Sequence, residues 1–229
     1  MARTVLFSDK TLAAYVNSNF EPAWKSVRPV PIVKIDFGYG TKITRTLHGN
    51  IASLVCNADG NILDILPGMY APEPYIKKLD EIRVQTIGLR DLVKMREYHD
   101  KQILVLHEKG FFKVPDFSKA LIERPVKEVI LNQANIDTKN VQAFLNAEYP
   151  GLGNERDALK GLVTDTINNE AVRRRAIHER LLSGTTEPKD ITSWLYKSVL
   201  HVDLDDPYLG LGPTLFATYP FKDDVPTTR

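Results

Sequence analysis

The stretch Ile51-Ala52-Ser53-Leu54-Val55-Cys56-Asn57-Ala58-Asp59-Gly60-Asn61-Ile62-Leu63-Asp64-Ile65-Leu66 carries the clearest structural signal in the chain. Two apolar runs flank Asp59-Gly60, a dipeptide that favours a tight turn because glycine readily adopts a positive φ. Pro67-Gly68 ends the second run, since proline has no N–H to donate to a strand ladder. The stretch therefore predicts a β-hairpin.

Helices and strands alternate upstream of this hairpin. An amphipathic helix is predicted from apolar residues at helical spacing, namely Leu12, Tyr15, Val16 and Phe20. Ser8 or Asp9 precedes them and has the side-chain oxygen that caps a helix N-terminus. Residues 31–37 form an apolar run that favours a strand. Residues 4–7 fit either a strand, which is the preferred interpretation, or the lead-in to a helix. Residues 41–47 fit either a short helix or an extended arm.

Downstream of the hairpin the sequence predicts mostly helix. Pro72 suits the first turn of a helix, and a long amphipathic helix is expected over 89–107. Further helices are expected near 126–132, 139–147, 154–182 and 190–199. From about residue 200 the chain is rich in proline, glycine and aspartate and is expected to form an extended tail. We therefore predict an α/β domain over 1–87 and a mainly helical region over 88–229.

Composition excludes several function classes. The chain has 30 basic and 29 acidic residues and a formal net charge of +1, without the basic excess of most nucleic-acid-binding domains. Its one cysteine excludes an intrachain disulfide, a cysteine-built zinc site and a CxxC redox pair. We therefore expect no nucleic-acid partner and no cofactor.

The sequence carries no recognisable signal for a membrane or for secretion. No apolar run approaches the roughly 20 residues that span a bilayer, and the N-terminus lacks the apolar core of a secretory signal. We therefore expect no membrane partner and a cytoplasmic protein. A signal peptide that had already been removed would leave the same sequence.

Three stretches of residues 1–87 resemble the thioredoxin-like superfamily. The first, Phe7-Ser8-Asp9-Lys10-Thr11-Leu12-Ala13-Ala14-Tyr15-Val16-Asn17-Ser18-Asn19-Phe20, is similar to the latter part of the first helix and the strand entry. The second is the strand Val33-Lys34-Ile35-Asp36. The third is Gly49-Asn50-Ile51-Ala52-Ser53-Leu54-Val55-Cys56 with the hairpin and the helix after Pro72. The resemblance implies a mixed sheet with helices on both faces.

Two hallmarks of that superfamily are missing, and their loss decides the functional expectation. Thioredoxins use a thiolate at a helix N-terminus and a second, resolving cysteine, but Ser8-Asp9-Lys10-Thr11 opens the first helix here. The proline that the family holds in cis beside its active site is also absent, because Gly49-Asn50-Ile51-Ala52 stands where Gly-Ile-Pro-Thr is expected. The resemblance thus implies an atypical member that does not exchange disulfides.

We therefore expect a redox-inactive binding or scaffold protein. The expected platform face lies near Ser8, Asp9, His48, Asn50 and Ile51. It binds an unidentified protein or peptide, or the C-terminal tail covers it.

Cys56, the only thiol, carries the alternative function of a thiol-dependent oxidoreductase or peroxidase. Against that function, no helix N-terminus follows Cys56 and no cation stands beside it in sequence to lower its pKa. A buried, inert cysteine is the favoured interpretation. A further alternative is a piece of an oxidoreductase whose CxxC lies upstream of Met1. Enzymatic activity is thus left open and not favoured.

Three aspartates near the C-terminus allow two interpretations. Asp203, Asp205 and Asp206 offer oxygen ligands to calcium or magnesium. The glycine and the distal glutamate of an EF-hand loop are missing from the required positions. A tight turn, with aspartate side chains bonding backbone amides, is therefore favoured over a metal site.

Histidines and arginines are expected in structural, solvated positions. The five histidines show no metal-ligand spacing, so we expect them at the surface or at helix caps. Arg173, Arg174 and Arg175 alternate with acidic residues along one predicted helix, which is typical of a solvated face.

Overall fold

The computed structural model describes residues 6–46, 50–89, 91–108, 162, 165–184 and 187–212. His48 and the helices predicted near 126–132 and 139–147 lie outside these residues. The described part of the chain contains both helices and strands, so the expected α/β class is confirmed in its general form.

The described elements follow in the order α1 Lys10–Asn19, β1 Ile32–Asp36, β2 Lys42–Thr46, β3 Ala52–Cys56, β4 Ile62–Pro67, α2 Pro72–Thr86, α3 Leu92–Glu108, α4 Arg174–Leu182 and α5 Pro188–Trp194. A π-helical turn, Asn169–Arg173, leads into α4, and another, Leu195–Val199, continues α5. None of these helices has both the length and the apolar character needed to cross a bilayer.

The β3–β4 hairpin forms as the sequence predicts, and helices pack against it. Its strands are antiparallel. Asn57 stabilises the turn, because its side-chain Oδ1 accepts hydrogen bonds from the N–H groups of Asp59 and Asn61 at 3.0 and 2.9 Å. Gly60 takes φ 82° there, a conformation that other residues adopt only at a cost.

Helices cover both faces of this hairpin. One face packs on α1 and α2 in a first core cluster that includes Leu6, Leu12, Val55, Leu66, Tyr75 and Leu79. The other face packs on α4 and α5 in a second core cluster that includes Ile62, Ile65, Ile177, Ile191 and Leu195. Val55 belongs to the first cluster and Leu54 packs against the second, since successive strand side chains point to opposite faces.

A second hairpin, β1–β2, precedes the central one. Its strands are antiparallel, with Ile35 opposite Ile43 and Asp36 opposite Lys42. The strand predicted over 31–37 is confirmed. Residues 42–46, which the sequence left open, form a strand rather than a helix.

The described strands form two separate two-stranded sheets rather than one. The thioredoxin-like resemblance implies a mixed sheet, and no parallel pair of strands occurs within the described residues, so this part of the structure differs from that expectation. The strand expected over 4–7 is wrong where the structure describes it. Leu6 has π-helical backbone and Phe7 belongs to the turn before α1, and Leu6 is fully buried in the first core cluster.

The start of α1 follows the sequence prediction. Asp9 precedes the helix with extended backbone, and its Oδ1 accepts a hydrogen bond from the N–H of Leu12 at 2.8 Å. This bond satisfies one of the amides that a helix N-terminus leaves without a partner inside the helix.

Arg28 ties the loop between α1 and β1 to the C-terminal loop. Its Nη1 donates a hydrogen bond to the carbonyl of Leu204 at 2.9 Å, and its Nη2 donates to that of Pro207 at 2.8 Å. Nη1 also bonds the carbonyl of Asp206. One guanidinium therefore holds three carbonyls of a single turn.

Candidate functional site

The residues predicted to form the platform face have separate roles in the structure. Asp9 caps α1, and Ser8 lies exposed in the turn before it. Ile51 packs against the first core cluster. The Nδ2 of Asn50 donates a hydrogen bond to the carbonyl of Leu200 at 3.3 Å. Because these side chains serve different local contacts, the described members of the platform make no chemical centre.

Cys56 ends β3, and its side chain is exposed, which corrects the expectation of a buried thiol. Partial burial raises the pKa of this thiol, and no cation of the described residues acts on it in the opposite direction. A nucleophilic cysteine needs a lowered pKa, supplied by a nearby positive charge or a helix N-terminus. Cys56 is therefore poorly suited to thiol chemistry.

The aspartates of the C-terminal loop stabilise a turn. Asp203 accepts a hydrogen bond from the N–H of Asp205 at 3.2 Å and forms a 2.7 Å ion pair with Lys197. Asp206 accepts from the N–H of Tyr208 at 2.6 Å. Such bonds match the turn interpretation. In the described part of the chain, no group of three or more His, Cys, Asp or Glu residues is arranged to hold a metal ion.

A buried ion pair joins β4 to α4. The side chains of Arg174 and Asp64 are 2% and 0% exposed, and Nη2 of Arg174 lies 2.8 Å from Oδ2 of Asp64. The Nη1 of Arg174 donates a hydrogen bond to the carbonyl of Ile65 at 3.1 Å. Burial alone would raise the pKa of Asp64, but the charge of Arg174 holds it well below its usual range. The carboxylate is therefore ionised inside the core.

Tyr98 and two histidines extend this ion pair into a network with α3. The hydroxyl of Tyr98 donates a hydrogen bond to Oδ2 of Asp64 at 2.6 Å. Nε2 of His178 lies 3.1 Å from Nη2 of Arg174. Nδ1 of His178 lies 3.0 Å from Nδ1 of His99. The network thus connects three elements, α3, β4 and α4.

These contacts determine the tautomers of both histidines. A guanidinium only donates, so Nε2 of His178 accepts from Arg174 and a neutral His178 carries its proton on Nδ1. That proton is donated to Nδ1 of His99, whose own proton is then on Nε2. Burial lowers the pKa of His99 and lowers that of His178 to about 3. Both rings are therefore neutral at neutral pH.

A second branch of partly buried charges joins α2 to the turn before α4, and its Lys78 and Glu170 side chains are 14% and 12% exposed. Glu170 accepts a hydrogen bond from the hydroxyl of Tyr70 at 3.0 Å and forms a 3.1 Å ion pair with Lys78. Its carboxylate also lies 3.7 Å from Nε of Arg174. Burial would lower the pKa of Lys78, but Glu170 raises it above its ordinary value. Lys78, Glu170, Arg174 and Asp64 therefore form a chain of alternating charges.

This network is closed to solvent. Asp64 and His178 are 0% exposed and His99 is 3% exposed, so a substrate in solution has no route to them. Their polar atoms bond one another and the backbone, which is what the burial of charge requires. The network therefore holds α3 and α4 on the central hairpin.

This network was not predicted from the sequence. The expectation of a solvated face is wrong for Arg174, although Arg175 is 40% exposed as expected. The expectation of surface histidines is wrong for His99 and His178. One signal was present, because Asp64 interrupts the apolar run of β4 and a carboxylate in such a strand needs a buried cation.

The β1–β2 hairpin exposes one apolar face. Val33, Ile35, Phe37 and Ile43 lie on the same side, as their spacing and cross-strand pairing require, and we call these four side chains the hairpin face. Ile35 is 43% and Phe37 is 59% exposed. Among the described elements, β1 and β2 pack chiefly on each other. Ile35 and Phe37 of the hairpin face therefore remain exposed beside the described elements.

Comparisons with family models, with curated protein sequences and with solved structures find no significant match to this chain.

Proposed function

We propose that the chain is a redox-inactive protein-binding module and that the hairpin face is its contact surface. The observation that carries this function is the exposure of Ile35 and Phe37 beside the apolar side chains of Val33 and Ile43. Contiguous exposed apolar surface in a water-soluble fold is typical of interaction sites, since burying it on a partner is favourable.

The charges of the hairpin favour an apolar protein surface as the partner. The two strands carry Lys34, Lys42 and Arg45 against Asp36, and Lys42 forms a 3.0 Å ion pair with Asp36. Nucleic acids and anionic membranes draw their affinity from clusters of uncompensated basic groups. The negative charge of Asp36 on the strands disfavours binding to nucleic acids and to anionic membranes, whereas a protein partner tolerates a surface of mixed charge.

The environment of Cys56 supports the redox-inactive part of the proposal. Its thiol pKa is raised rather than lowered, and the N-terminus of α1 carries the carboxylate of Asp9 where a thioredoxin carries a thiol. The order α1, β3, β4, α2, with both helices in the first core cluster, supports a thioredoxin-like platform. The separate β1–β2 sheet weighs against that platform, and binding by the hairpin face does not require it.

Site-specific photo-crosslinking tests the contact surface. A photoreactive amino acid replaces Phe37, and in a matched control it replaces Val84, which is also 59% exposed but lies on α2. In the native cells we expect a discrete adduct from position 37 and none from position 84. Adding Ile35→Ser is expected to lower the yield at position 37 severalfold. Equal labelling at both positions, or an adduct that ignores Ile35→Ser, contradicts the proposal.

The thiol is tested separately. Cys56→Ser is expected to leave the adduct unchanged, and the purified protein is expected to reduce no insulin disulfides. Rapid, selective alkylation of native Cys56 by iodoacetamide, together with insulin turnover that Cys56→Ser abolishes, would establish the thiol enzyme instead.

A further inference from the structure

We infer that β1 pairs with β1 of a second copy of this chain, so that two hairpins join into one four-stranded antiparallel sheet. The inference rests on the proposed function, because it uses the same hairpin and names a second copy of the chain as one partner of that hairpin. An isolated two-stranded hairpin is at best marginally stable in water, and each further strand adds a ladder of hydrogen bonds.

The outer edge of β1 has backbone groups directed away from β2. The N–H of Phe37 donates to the carbonyl of Thr41 at 3.0 Å, which continues the pairing of Ile35 with Ile43. Residues that bond the neighbouring strand alternate with residues that do not. The N–H and C=O groups of Ile32, Lys34 and Asp36 therefore point outward, where a third strand would bind.

The side chains at this edge are complementary to themselves. In an antiparallel pair with a twofold axis at Ile35, Lys34 lies opposite Asp36 of the second copy, and Asp36 opposite its Lys34. Each β1 strand supplies one lysine and one aspartate at this edge, so the two strands together form two ion pairs. The edge groups of Lys34 and Asp36 also bond each other in this alignment, so charge and backbone pairing agree.

Other alignments of the same edge bring like charges together. The hydrogen-bonding pattern is kept when one strand slips by two residues along the other. Such a slip moves the twofold axis by half that distance, which is one residue. With the axis at Lys34, the two lysines face each other, and with the axis at Asp36, the two aspartates do. Like charges directly opposite are unfavourable, so the sequence selects one alignment and disfavours its neighbours.

This alignment also extends the hairpin face. Ile35 of one copy meets Ile35 of the other, and Val33 meets Phe37. The four-stranded sheet then carries eight apolar side chains on one side, since each copy contributes Val33, Ile35, Phe37 and Ile43. A twofold interface of this kind uses the same patch on both copies.

Disulfide trapping at the twofold axis tests the alignment. In a Cys56→Ser background, Ile35→Cys places two thiols in a non-hydrogen-bonded pair, with Cα atoms about 4.5 Å apart, which is within the range that a disulfide spans. Val33→Cys is the matched control on the same face. Its symmetry mate lies four residues along the strand, roughly 14 Å away at about 3.4 Å per residue.

We expect air oxidation to give a covalent dimer with Ile35→Cys at least tenfold faster than with Val33→Cys. Equal rates for the two variants, or no dimer from Ile35→Cys, overturns the inference. A photo-crosslinked adduct to another protein at position 37 is scored independently, so loss of self-pairing and loss of the binding function remain distinguishable.

Exchanging the charges at positions 34 and 36 provides a second test, whose result does not depend on the fold of a single variant. Lys34→Glu and Asp36→Lys each place like charges opposite each other in a pair of identical copies, but a mixture of the two restores both ion pairs. With Ile35→Cys in each chain, the mixture is expected to cross-link faster than either variant alone. Equal cross-linking in all three samples contradicts the alignment.

Discussion

Arg174 and Arg175 are neighbours in one arginine run but have opposite surroundings. We expect Arg174→Met to lower the free energy of unfolding by about 3–5 kcal/mol, because the Asp64 carboxylate is left buried without its cation. Arg175→Met is the matched control. It removes an exposed ion pair with Glu179, which is worth about 1 kcal/mol or less. Urea denaturation of both variants makes the comparison.

A double variant separates the value of the pair from the cost of breaking it. Replacing Asp64 and Arg174 together by apolar residues is expected to cost less than Arg174→Met alone, because no charge then remains unpaired in the core. Equal losses for Arg174→Met and Arg175→Met would mean that the buried pair does not hold α4 on β4.

The two buried histidines predict a loss of stability in mild acid. Their pKa values are lowered on folding, that of His178 to about 3, whereas an unfolded histidine titrates near 6.5. As the pH falls below about 6.5, the unfolded chain therefore binds protons that the folded chain does not bind. For His178 the free energy of unfolding is expected to fall by about 1.4 kcal/mol per pH unit, and the lowered pKa of His99 acts in the same direction.

Denaturation at several pH values between 6 and 4.5 measures this slope. His178→Gln keeps a hydrogen-bonding side chain but removes one titrating group, so its slope is expected to be shallower by about 1.4 kcal/mol per pH unit. Above pH 4.5, Asp64 adds little to the slope, because its lowered pKa matters only where an unfolded aspartate becomes protonated. The same slope in both proteins would contradict neutral, buried histidines.

At the scale of elements, local signals were readable from the sequence. The β3–β4 turn and the cap of α1 depend on residues within a few positions, namely Asn57, Gly60 and Asp9. The strand β2 depends on pairing with β1, which no local pattern states, and residues 41–47 were therefore ambiguous. Leu6 shows the converse, because an apolar run predicts burial but does not specify strand or turn.

The loop after β4 offers a prediction at this scale. Gly68 and Gly184 have φ of 72° and 87°, so Ala at either position costs about 1–2 kcal/mol in backbone strain. At Gly68 a Cβ would also lie 3.0 Å from Nη1 of Arg173 and from Oδ1 of Asn169, whereas at Gly184 no described atom lies within 4 Å. Gly68→Ala is therefore expected to lower the unfolding temperature more than Gly184→Ala. Equal decreases in the unfolding temperature would show that the turn before α4 shifts to accommodate the added Cβ at no cost.

At the scale of the whole molecule, the second core cluster and the buried network join parts of the chain that the sequence order keeps far apart. Ile65 packs with Ile177, and Asp64 pairs with Arg174. The charge pattern of an isolated helix does not reveal such a pairing, because an arginine that faces solvent and one that faces the core have the same sequence neighbours. The general fold class was therefore predictable, whereas the partners of Asp64 in the buried network were not.

The contacts of Arg28 lead to a prediction at the scale of the whole molecule. Arg28→Lys replaces a planar fork by a single ammonium, which cannot hold the carbonyls of Leu204, Asp206 and Pro207 in the same way. We expect amide hydrogen exchange of the C-terminal loop, 203–211, to become about tenfold faster, since one charged hydrogen bond contributes about 1.5–3 kcal/mol. Lys25→Ala, an exposed change in the same loop as Arg28, is expected to leave this exchange unaltered. Unchanged exchange in Arg28→Lys would contradict the proposed role of Arg28.

The long separation of Asp64 from Arg174 has a consequence during synthesis. Arg174 is added 110 residues after Asp64, so at about 5–20 residues per second the ribosome takes roughly 5 to 20 s to make it. Through that interval the emerging β3–β4 hairpin has a carboxylate and an apolar side without their final cover. Exposed surface of this kind favours aggregation until α4 and α5 have been made and can cover it.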